Sequence, residues 1–141
     1  MKKIYFFLLA LFAFTSCAKE VSIPQNATPV KEVAGIYPDY RDITIPPNIA
    51  PLNFQVTAKG DNFVGVIQGQ GVQLVAGGNE DGKLFLDSTE WRKLLTANKG
   101  RDLSVELYAE RNGQWMSFPK YVIHVAKEPI DKYLSYRLIE P

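Results

Sequence analysis

The sequence predicts a mostly-β domain, a β-sandwich with one short helix, preceded by an export signal and a linker. Three observations carry that prediction. Apolar and polar residues alternate in several short runs, of which "DLSVELYAE" (102–110) is the longest. Gly, Asn and Pro turn signals separate those runs. Helical spacing occurs in one segment alone, between Asp87 and Gly100. Many strands and one helix in about 100 residues favour a sandwich, because each apolar sheet face must be buried against another layer.

The N-terminus has the order of an export signal. Lys2 and Lys3 precede an apolar run, Ile4 to Phe14. That run is shorter than the ~20 apolar residues needed to span a bilayer, and its length fits a cleaved signal peptide. Thr15 and Ser16 then precede Cys17, the one cysteine of the chain. The arrangement resembles the lipobox of bacterial lipoproteins. The resemblance implies that residues 1–16 are removed and that Cys17 is acylated, holding the protein to the cell envelope, with the outer membrane as the expected location. Several acyl chains make an effectively permanent anchor where one is marginal. Cys17 is thus expected to be an anchor rather than a catalyst. With Cys17 acylated no thiol remains for a disulfide, a cysteine-based zinc site or a cysteine nucleophile.

Removal of the signal takes Lys2 and Lys3 away and leaves 14 basic against 15 acidic residues. A nearly neutral chain has no positive field to attract nucleic acid.

The stretch 17–35, with "AKEVSIPQNATPVKEVAG" after the cysteine, is polar and proline-punctuated, which predicts a flexible tether. The domain is then expected over 36–141. Pro46, Pro47 and Pro51 rule out helix and predict an extended edge or lead-in. In "LNFQV", Leu52, Phe54 and Val56 alternate as in a half-buried strand. "NFVGVIQGQGVQLVAGG" reads as a hairpin turning at Gly69–Gly71, and Asp81-Gly82 as a turn into a strand over 83–86. In the helical segment Asp87 can cap the first turn with Glu90 reaching back, and Gly100 can end it. Trp91, Leu94 and Leu95 form its apolar stripe. Asn112-Gly113 predicts a type I′ turn after the long strand. "YVIHVAKEP" and "KYLSYRLIEP" read as further strands.

The strand pattern is similar to immunoglobulin-like and fibronectin type III domains. A more specific resemblance lies in "IYPDYRDITIPPNIAPLNF", "EWRKLLTANKGRDLSVELYA" and "IHVAKEPIDKYLSYRLIEP" together with the lipobox. These look like the N-terminal region of TolB-like β-propeller lipoproteins of Gram-negative anaerobes. The resemblance implies a membrane-anchored front module. The haem attachment and propeller repeats of that family transfer to no residue of this sequence, which contains no C-x-x-C-H motif.

Candidate chemistry is sparse. His124 is the only histidine, so a transition-metal site has nothing to build on, and no G-x-S-x-G elbow accompanies it. The glycines at 69, 71, 77 and 78 are followed by no Gly-Lys-Ser/Thr and read as turn residues. Asp87-Ser88-Thr89 resembles a short O-glycosylation acceptor, and helix capping accounts for the same residues. Aromatic residues remain: Tyr37, Tyr40, Tyr108, Trp115, Phe118 and Tyr121 are the candidate binding surface for a protein or a glycan. Cross-strand pairing of Tyr108 and Trp115 is the competing use of two of them. The expectation is a non-catalytic envelope module without cofactor that docks a protein partner, with Ile43–Pro51 and Tyr133–Ile139 as the docking strands; a carbohydrate-binding module is the alternative.

Overall fold

The computed structural model describes residues 21–131 and 133. The signal, Cys17 and all but Tyr133 of the expected C-terminal strand Tyr133–Ile139 lie outside the described residues. The protein is mostly β with one helix. In chain order the elements are β1 (Thr28–Pro29), β2 (Ile36–Tyr37), β3 (Thr44–Ile45), β4 (Phe54–Val56), β5 (Asn62–Gly69), β6 (Val72–Gly78), β7 (Lys83–Leu84), α1 (Ser88–Ala97), β8 (Asp102–Arg111), β9 (Gln114–Ser117) and β10 (Tyr121–Val125).

These strands are hydrogen-bonded into one sheet in the order β1-β9-β8-β5-β6-β7-β4-β2, and β10 and β3 branch from β8. All ten strands belong to this one sheet, which curls on itself. The long strand β8 is the pivot. Its end, Tyr108–Arg111, pairs with β9, and its beginning, Asp102–Val105, pairs with β10. Pro119 lies between those two partners and cannot donate to the ladder, so the edge divides there. β3 then adds to β10 in parallel.

One large core fills the inside of the curl. On β8 the alternation is obeyed: Leu103, Val105, Leu107 and Ala109 all point inward and are fully buried. Phe63 and Ile67, Leu74 and Ala76, Phe54 and Val56, and Ile123 and Val125 join them. The helix closes this core with Trp91, Leu94 and Leu95. Asp87 Oδ1 accepts from the amides of Thr89 and Glu90, both at 2.9 Å, as a helix cap should. Glu90 does not reach back as expected; it pairs with Lys93 at 2.7 Å, one turn along. Gly100 takes a left-handed φ of 68° just beyond the helix. Asn98, which caps the end of the helix, is fully buried. Its Nδ2 donates to Leu94 O at 2.8 Å and its Oδ1 accepts from the Gln70 amide at 2.7 Å, tying the helix end to the β5–β6 turn.

The outer face of the sheet is also covered. Val64, Val66 and Tyr108 form a second buried cluster with Val75, Trp115, Ile23 and Ala27. Strand β5 is therefore buried on both faces, which is why Phe63 to Ile67 is an unbroken apolar run apart from Gly65. The cover corrects the expected tether. From Val21 onward the N-terminal segment is part of the fold: Ile23 and Ala27 lie on the outer face, β1 pairs in parallel with Met116–Ser117, the Val30 amide donates to Ser117 O at 2.9 Å, and Ala34 enters the main core. Val21 and Ile23 stand two apart while Ile23, Ala27 and Val30 stand four and three apart, and Pro24 and Pro29 interrupt the run, so no single strand or helix period announces their burial.

Strand β5 defines a long axis of about 23 Å, from the seven steps of ~3.3 Å between its eight residues. Glu110 and Gly78 lie at its Asn62 end, and Val72 and Ser104 at its Gly69 end. Val21 joins the fold at the Asn62 end, against Gly77 and near Glu110 and Trp115. The described chain leaves near the Gly69 end, where the Gly100 amide donates to Ala126 O and Lys127 packs over Gly100.

Candidate functional site

Three surfaces merit a functional reading, and the first is built around His124. On β10, Ile123 and Val125 point into the core, so His124 points out. Asp102 stands directly across on β8, and Asp42 occupies the turn before β3 with a left-handed φ of 56°. His124 Nδ1 lies 2.7 Å from Asp102 Oδ1, and Nε2 lies 2.9 Å from Asp42 Oδ1. Two carboxylates accept only if both ring nitrogens donate, so this geometry belongs to the imidazolium. The hydrogen bonds that His124 donates to Asp42 and then to Asp102 raise its pKa above the ordinary value. Neither nitrogen is left with a lone pair for a base or a metal ligand. His124 is an ionic clasp that holds the Asp42 turn against β8 and β10. Among the described residues no group of three or more His, Cys, Asp and Glu is placed to hold a metal ion.

Beside the clasp, Arg41 makes a two-pronged pair with Asp39, with Nε at 2.8 Å and an Nη at 2.7 Å. The Arg41 side chain holds the Asp39 carboxyl below its usual range. The buried Tyr121 hydroxyl lies close by without a hydrogen-bond partner among the described residues. Burial pushes its pKa up.

The six candidate aromatics do not make one row. Phe118 is in the main core and Tyr108 in the outer cluster, both buried, so neither offers an open ring face. Trp115 packs half-buried beside Tyr108. The register pairs Tyr108 with Ser117 and Trp115 with Glu110, making the two aromatics diagonal neighbours. Tyr40 and Tyr121 lean on the main core. Tyr37 alone is open to solvent, 71% exposed. Phe85, which no sequence pattern singled out, is its counterpart at 68%. An exposed phenylalanine reads in sequence as one more inward strand residue.

The third surface is a groove of about 440 Å³ between the proline segment and α1. Pro47 to Pro51 form one wall; Ser88, Trp91, Arg92 and Thr96 of the helix form the other, with Lys99 and Pro129 at one end. Trp91 Nε1 donates to Ile49 O at 3.2 Å and pins the two walls together. Asn48 is held in turn by two hydrogen bonds to the Ile130 backbone, at 2.9 and 3.0 Å. Arg92 and Lys99 form no ion pair with a described carboxylate. Of the two docking strands read from sequence, Ile43–Pro51 contributes to this groove, while Tyr133–Ile139 lies almost wholly outside the described residues.

Compared with protein-family models, with curated proteins and with solved structures, the chain has no match in any of the three.

Proposed function

We propose that the protein is a non-catalytic, lipid-anchored module of the cell envelope that docks a protein partner in the groove between Pro47–Pro51 and α1. The observation that carries this reading is the groove itself: its walls are pinned by Trp91 and Asn48, and two cations in its lining have no described acidic partner. A preformed site avoids the cost of ordering its walls on binding. Arg92 and Lys99 favour an extended partner segment carrying carboxylates, through charge-assisted hydrogen bonds. Anchorage belongs to Cys17, acylated after removal of residues 1–16, with the outer membrane as the expected site. The engagement of both His124 nitrogens supports a non-catalytic role. A front module of the TolB-like lipoprotein type agrees with the order of export signal, cysteine and β-rich domain in the sequence.

Photo-crosslinking in intact envelopes tests the docking. A crosslinker at Thr96 should capture a partner whose attached peptide, mapped by mass spectrometry, is rich in Asp or Glu. One at Gln73, which is exposed on β6 away from the groove, should not. Arg92→Glu combined with Lys99→Glu should abolish the capture. Capture unchanged by charge reversal, or tight oligosaccharide binding by the purified protein, would replace this reading with the sugar-binding one.

A further inference from the structure

We infer that the outer face at the Asn62 end, carrying Tyr37, Lys83, Phe85 and Val21, rests on the lipid surface; this deepens the anchoring reading and depends on acylation of Cys17. The exposed aromatics share one face. Ile36 is buried, so Tyr37 points outward. The register runs from Tyr37 to Gln55 on β4 and from Gln55 to Lys83 on β7. Leu84 is buried, so Lys83 and Phe85 both flank it on the outward side. Leu84 pairs with Gly78, so Phe85, the residue after the end of β7, follows on from the strand beside Gly77 and Gly78. A Cβ on Gly77 would come within 2.8 Å of the Val21 side chain. Val21 itself is 40% exposed. The patch thus runs from Val21, the first described residue, across three strands to the edge.

Chain length commits this patch to a membrane rather than to another occupant. Three residues, Ala18, Lys19 and Glu20, separate Cys17 from Val21. Four residue steps extend at most ~14 Å. An acylated Cys17 therefore holds Val21, and the aromatics beside it, near the headgroup layer. The amphipathic ring of Tyr37 suits that depth, and the apolar ring of Phe85 can bury itself at the acyl boundary. The charge on the patch is balanced, with Lys83 3.9 Å from Asp81. The partner it fits is accordingly a zwitterionic lipid surface. The Gly69 end, to which the Asn98–Gln70 hydrogen bond ties the end of α1, lies about 23 Å farther along β5.

The test uses the full, acylated protein in phosphatidylcholine vesicles containing a headgroup spin label. Acylation of Cys17 leaves an introduced thiol as the only reactive one, so a fluorophore can be placed by Asn79→Cys or by Gln70→Cys. Quenching several-fold stronger at position 79 is expected. Tyr37→Ala with Phe85→Ala should erase most of that difference while flotation with the vesicles persists. Ten Gly/Ser residues inserted after Lys19 should weaken it as well. Failure to float, or a mass without acyl chains, sinks the anchoring reading itself. Flotation with an intact acyl mass but equal quenching at the two positions overturns the orientation. So does a quenching difference indifferent to Tyr37 and Phe85, particularly if the same variants lose binding to an oligosaccharide or a protein.

Discussion

His124, Asp42 and Asp102 show how a lone histidine acquires a task through residues remote in sequence. The clasp works only as the imidazolium, and its pKa in the folded protein is raised above 6.5. A raised folded pKa stabilises fully below the unfolded value, and that contribution fades as pH rises through the folded value. Wild type is therefore expected to exceed His124→Gln in stability below about pH 6.5, with the gap closing at higher pH in urea melts. A gap independent of pH would mean that packing, not charge, is what His124 supplies. Tyr121 makes the opposite prediction. Its buried hydroxyl has no described partner, so Tyr121→Phe should leave stability unchanged or raise it by up to ~1 kcal/mol, since an unmade buried hydrogen bond costs free energy. Asn98→Ala removes the partner of the Gln70 amide and should lose about 1–3 kcal/mol. None of these three partnerships was legible in the sequence. His124 and Asp42 are 82 residues apart, and Asn98 reads locally as an ordinary helix end.

Elements were legible in proportion to how much of their stability is local. Helix α1 declares itself through Asp87, the Trp91-Leu94-Leu95 stripe and Gly100. The Asn112-Gly113 turn does so too, and both residues have the left-handed φ that a type I′ turn requires. The two-residue strand β1 declares nothing and β3 shows only as part of the extended proline segment, because each exists through parallel pairing with a distant partner. Strand β7 ends at Leu84, short of the expected Leu86, where Asn53 Oδ1 accepts the Leu86 amide instead of a ladder carbonyl. The two tryptophans divide the same way. Trp91, 1% exposed and hydrogen-bonded to Ile49, holds the helix to the proline segment, and Trp91→Ala should cost about 3–5 kcal/mol. Trp115 is half-buried under the N-terminal cover, so Trp115→Ala should cost clearly less. Equal losses in chemical denaturation would show that the cover contributes as much as the main core.

At the scale of the molecule, the mostly-β class was legible and the curl was not. Alternation tells which face of a strand is buried; it does not tell that β8 shares one edge between β9 and β10. The candidate site fared similarly: the proline segment was named from sequence, whereas its opposing helix wall and the Tyr37–Phe85 face needed the register of three strands. The N-terminal cover carries a practical consequence for solubility. A chain begun at Ile36, the boundary that composition suggests, would lose Ile23 and Ala27 from Val64, Val66 and Tyr108 and would leave the β9 edge unpaired. Bare apolar faces and open strand edges are what neighbouring copies join. Such a chain is expected to self-associate as its concentration rises in sedimentation velocity, while one begun at Val21 stays monodisperse over the same range; identical behaviour of the two would mean that residues 21–35 are dispensable to the fold they cover.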